Sequence, residues 1–138
     1  MNLDFLYILV TEAIRRAETL EDLRAPGVHT AYSEVSLLEE KVAELLPASN
    51  PEGALARRGA VRAALAAREF GRAQRLAERF LAEADADAES KARLRGLFEE
   101  REHSTVLRFP RVAATVGMSE VRRLARALVE QGAPFPIG

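Results

Sequence analysis

The sequence predicts an all-α fold: a single-domain helical bundle of antiparallel helical hairpins with five to six main helices. Three observations carry this. Apolar residues recur at three-and-four spacing in segment after segment. No stretch sustains the period-two alternation of a half-buried strand. The breaks between segments are short, as connections between antiparallel neighbours are. The 138 residues suit one hydrophobic core. They divide into helical hairpins over 1–101, an irregular linker over 102–117, a C-terminal helix over 118–132 and a tail over 133–138.

Helix one covers about 3–20, with Leu6, Leu9, Val10, Ala13, Ile14, Ala17 and Leu20 at helical spacing. Phe5 and Ile8 widen its apolar surface beyond one stripe, which predicts burial on two sides or contact with another chain. A short strand over 5–10 is the competing reading, because the run is aromatic and β-branched, but the helical spacing continues past it. Ala25-Pro26-Gly27 breaks the pattern, and helix two follows from about Thr30 to Leu46 with Val35, Leu38, Val42, Leu45 and Leu46 inward. Pro47 stops it. Asn50-Pro51-Glu52 then supplies a capping side chain, a proline at the first helical position and an acid in the first turn. Helix three runs from there to about Arg68.

Gly71 marks the next elbow, and helix four continues to about Ala84 with Ala73, Leu76, Ala77 and Phe80 inward. After Asp85-Ala86-Asp87, with Asp87 as cap, helix five carries Ala88, Ala92, Leu94, Leu97 and Phe98 and fades by about Arg101. In the linker, Thr105–Pro110 fits an extended segment and Arg111–Val116 a helical turn. Ser119-Glu120 opens the last helix, which presents Val121, Leu124, Ala125, Leu128 and Val129 and ends at Gly132. The tail, with Pro134 and Pro136, cannot be helical.

Hydrophobic residues make up 48% and charged residues 30% at a net charge of -1, a globular composition that steers toward neither nucleic acid nor lipid. With no cysteine, disulfides and thiolate chemistry are excluded. Phe5–Val10 is too short to span a bilayer and follows Asp4 rather than a basic segment, so a cytoplasmic protein without membrane contact is expected. Lys41 and Lys91 are the only lysines. The arginine and alanine bias fits a GC-rich bacterial genome.

Phe70, Ala73, Ala77 and Phe80 place an aromatic, an alanine three residues on, and small or apolar residues seven and ten on. Tyr32, Val35 and Val42 repeat the pattern in helix two, with Glu39 in place of a small residue and Pro47 at the close. These segments resemble the second half of a tetratricopeptide repeat. They lie 38 residues apart rather than the family's roughly 34, and Val61 and Ala64 replace its first-helix glycine and tyrosine. The resemblance covers about half the chain and implies a concave protein- or peptide-binding surface without catalysis. Separately, Ala113–Ser119 followed by Val121-Arg122-Arg123-Leu124 is similar to the turn of a helix-turn-helix reader, with Arg123 where an apolar residue is expected.

Catalytic groups are sparse. His29 and His103 fall in or beside predicted loops, where a solvated histidine is the ordinary reading. No serine sits in a nucleophile elbow and no glycine-rich phosphate loop occurs. The alternating acids of Glu83–Glu89 resemble the start of a calcium loop, but Ser90 stands at the bend and Gly96 at the closing position, which favours a solvated cap for helix five. Glu18 with Glu21, and Glu99 with Glu102, have the spacing by which helical nucleotide pyrophosphatases hold magnesium, but at helix ends. No cofactor or metal is expected, although a metal-dependent nucleotide hydrolase stays open.

Arg68, Arg72, Arg75 and Arg79 recur at steps of four, three and four, with Arg57, Arg58 and Arg62 on the preceding helix. Two readings stay open: a partner or anion surface, or a solvated face neutralised by nearby acids. No aromatic residue interleaves to stack bases. The expected function is a small non-catalytic protein–protein interaction module acting through helical-hairpin surfaces. It is expected to form a homo-oligomer such as a dimer through Phe5, Ile8, Phe135 and Ile137. The alternative is a nucleic-acid-binding regulator using residues 113–131, with Arg122, Arg123 and Arg126 as contacts.

Overall fold

The computed structural model describes residues 2–103, within the first of two units into which the chain divides, Met1–Leu107 and Arg108–Gly138. Five helices follow in order: α1 (Leu3–Asp22), α2 (Val28–Leu45), α3 (Pro51–Ala66), α4 (Phe70–Leu81) and α5 (Ala88–His103). No strand occurs among the described residues, so the all-α helical bundle is confirmed, and 5–10 is helix. The predicted linker, C-terminal helix and tail from 104 onward lie outside the described residues.

Packing follows chain order. α1 lies on α2, α2 on α3 and α3 on α4, while α5 lies against both α3 and α4. α1 and α2 run antiparallel, stitched by Arg16 to Glu34 at 2.6 Å and by Tyr32 Oη donating to Glu21 at 2.8 Å. α3 is the central helix. Its inner side is mostly alanine, Ala56, Ala60, Ala63 and Ala64, all buried, and such small side chains let neighbouring helices approach closely. Leu6, Val42, Val61, Leu76, Phe80 and Leu97 supply the bulk of the core around it.

Three helix starts are capped by side chains, and two of these caps, Asn50 and Asp87, are those the sequence marks. Asn2 accepts from Phe5 N at 3.0 Å, Asn50 from Glu52 N at 2.8 Å, and Asp87 from Ser90 N at 2.7 Å. Two helix ends differ. α1 closes with Arg24 N donating to Glu21 O and Ala25 N to Leu20 O, and α3 closes with Arg68 N to Leu65 O and Glu69 N to Ala64 O. Both are Schellman closures, and the left-handed position is arginine, φ 52 at Arg24 and φ 65 at Arg68. The elbow before α4 is therefore Arg68-Glu69, and Gly71 lies inside the first turn. α2 starts two residues earlier than expected, from Gly27 at φ 91.

Of the expected inward residues, Ala73, Leu76, Ala77 and Phe80 are all buried. Leu45 is not: α2 uses the sides carrying Val42 and Ala43 against its neighbours, which leaves Leu45 50% exposed. Ala88 and Ala92 are likewise exposed, and α5 packs through Leu94 and Leu97.

Candidate functional site

Glu39 and Gly59 explain each other. Glu39 stands where the repeat-like pattern of α2 asks for a small residue, yet it is buried. A Cβ at Gly59 of α3 would lie 2.5 Å from the Glu39 carboxylate, so the facing helix has given up a side chain to admit the acid. Beside it Ser36 Oγ donates to Ala60 O at 2.7 Å and accepts from Arg72 Nη1. Arg72 Nη2 donates to Glu40 at 2.5 Å, and Arg79 reaches the other oxygen of Glu40 at 3.0 Å. A polar seam thus joins α4 to α2 across sequence separations of more than thirty residues.

Arg57, grouped with the surface arginines in the sequence, points inward instead. Its Nε and Nη2 hold Glu83 at 2.7 and 3.0 Å, and Nη1 donates to Leu46 O and Gly53 O, both at 2.9 Å. Its guanidinium lies 5.5 Å from the Phe80 ring centre and that of Arg79 5.0 Å, within cation–π range. Ala43, Glu44, Arg57, Arg79, Phe80 and Glu83 line an open recess of about 280 Å³ between the C-terminal ends of α2 and α4.

The arginine stripe therefore divides. Arg72 and Arg79 are bound to Glu40 within the chain, Arg75 is exposed on α4, and Arg68 sits in the elbow, not on the helix. The acidic string has separate duties: Glu83 pairs with Arg57, Asp85 accepts from Ser49 N at 3.2 Å, Asp87 caps α5, and Glu89 pairs with Arg93 at 2.6 Å. Among the described residues no three His, Asp or Glu side chains group to hold a metal ion. Glu21 is engaged with Tyr32, His29 is exposed, and the side chains of Glu102 and His103 lie outside the described residues.

Compared with known proteins, the chain matches no family model, no curated protein and no solved structure. The surfaces themselves carry what can be read of function.

Two are apparent. On α1, Phe5 is 51% and Ile8 60% exposed, while Leu6 and Val10 between and beyond them are buried. Leu37 and Leu45 stand half exposed on α2. On α3, Leu55, Arg58 and Arg62 follow at steps of three and four, half-buried, on the side away from the alanines. The remaining predicted contacts, Phe135, Ile137, Arg122, Arg123 and Arg126, lie outside the described residues. No helix among the described residues is long and apolar enough to cross a membrane.

Proposed function

We propose that the chain is a small, non-catalytic, cytoplasmic protein–protein interaction module that acts through the faces of its helical hairpins and self-associates. The observation that carries this is the outward pair Phe5 and Ile8 on α1, which leaves more than half of each side chain in water. Burying a large apolar side chain contributes about 1.5–3 kcal/mol. Two copies meeting through α1 would recover roughly half of that for each of four side chains, the share still exposed. α1 lies at the edge of the described array, packed on α2, so its far side is open to a second chain. The tetratricopeptide-like pattern supports the same reading, because hairpins stacked in series present extended faces to partners.

The test is the mass in solution of the wild type and of the Phe5→Glu/Ile8→Glu double variant by size exclusion with light scattering. The expected result is a dimer for the former and a folded monomer for the latter. Identical masses overturn the self-associating reading.

A further inference from the structure

Arg57 and Arg58 are adjacent and have opposite fates. Arg57 is turned to the core and its donors are taken by Glu83 and two carbonyls. Arg58 is half-buried on the other side, and among the described residues it makes no hydrogen bond or ion pair. Its neighbours worsen its position. Arg62 stands one turn on along α3, and Arg93 of the packed helix α5 is close enough to repel it. Burial first, then the charges of Arg93 and Arg62, hold the guanidinium below arginine's usual pKa, against the weaker pull of Glu89 and Asp87.

A half-desolvated, unpaired cation costs a fold stability. A guanidinium offers five donors in a planar fork that fits a carboxylate with two parallel bonds. We propose that Arg58, flanked by Arg62 and Arg93 on the α3–α5 face, binds a carboxylate side chain of an acidic, partly apolar segment of a partner protein. Leu55, one turn before Arg58, supplies the apolar footing. Glu89 and Asp87 beside the arginines repel any incoming anion, least for one discrete carboxylate and most for the closely spaced phosphates of nucleic acid. The assignment rests on the chain being an interaction module. It uses a different face from α1, so the two can fail separately.

The probe is a fluorescein-labelled Leu-Glu-Leu-Glu-Leu-Glu peptide followed by anisotropy, with the Leu-Gln counterpart as control. The wild type and the Phe5→Glu/Ile8→Glu variant should bind the glutamate peptide alike, and the glutamine peptide at least about tenfold more weakly. Arg58→Met should weaken binding at least about tenfold and at the same time raise the thermal midpoint, because it removes an uncomfortable charge. Arg95→Met, on the exposed side of α5, should change neither. No binding by the wild type, equal binding of the two peptides, or unchanged binding by Arg58→Met overturns the proposal. So does a lowered midpoint for Arg58→Met, which would reveal an intramolecular partner, or displacement of the peptide by an equal concentration of a DNA duplex.

Discussion

Arg57 fastens three elements with one side chain. It binds Glu83 beyond α4, donates to the Leu46 carbonyl that ends α2, and donates to the Gly53 carbonyl one turn back on its own helix. Removing it strands a half-buried carboxylate and the Leu46 carbonyl, so Arg57→Met should lower stability by about 2–4 kcal/mol in a urea titration. Nothing in the spacing of arginines distinguishes Arg57 from Arg58, because its partner lies 26 residues away. The glycines separate in the same way. A Cβ at Gly53 would stand 2.1 Å from Pro47 O, whereas one at Gly71 would meet Arg75 Nη1 at 3.4 Å, an ordinary contact. Gly53→Ala should therefore cost at least about 2 kcal/mol, while Gly71→Ala should stabilise by about 0.5–1 kcal/mol as an ordinary helical exchange. Thermal melts of the two variants should shift in opposite directions.

Helices α1 and α3 end on arginines in the left-handed region, where a side chain strains the backbone. Arg24→Gly and Arg68→Gly should each raise stability by about 0.5–1 kcal/mol, measured by denaturant midpoint. The starts of α3 and α5 were legible because they are written in side chains: Asn50 and Asp87 cap by their own oxygens, whereas α2 and α4 start without a side-chain cap. The ends were less so, because a Schellman closure is made by backbone groups and here lacks its usual glycine. That is why Gly71 drew the elbow two residues too far along. The inward face of α4 was readable from Ala73, Leu76, Ala77 and Phe80. The fate of its outward arginines was not, since Glu40 meets Arg72 and Arg79 only after α2 and α4 come together. At α5, the bonds from the Ser90 amide and hydroxyl hold the Asp87 carboxyl below aspartate's ordinary 3.8. A carboxyl depressed by folding contributes stability above its unfolded value and loses it as pH falls through the folded one. The cap should thus persist through the neutral range, and an NMR titration of the Ser90 amide should show its midpoint below 3.8.

Across the described array many charges pair internally, while a few large apolar side chains stay exposed. Arg16, Arg57, Arg72, Arg79 and Arg93 each meet an acid of the same chain, so three of the seven arginines of the α3–α4 hairpin are neutralised by folding. Arg24, Arg68, Arg75 and Arg95, which meet no acid in an ion pair, are exposed, whereas Arg58 is half-buried without one, and Phe5 and Ile8 remain facing water at the edge. The sequence already singled out Phe5 and Ile8, because they exceed one helical stripe. It did not single out Arg58, whose difference from Arg57 depends on how α3 is turned against α5. The measurement that bears most directly on the interaction-module reading is the mass in solution by light scattering at high protein concentration. The wild type should show twice the monomer mass and Phe5→Glu/Ile8→Glu the monomer mass with unchanged helical circular dichroism. A wild type that stays strictly monomeric at high concentration would contradict the account.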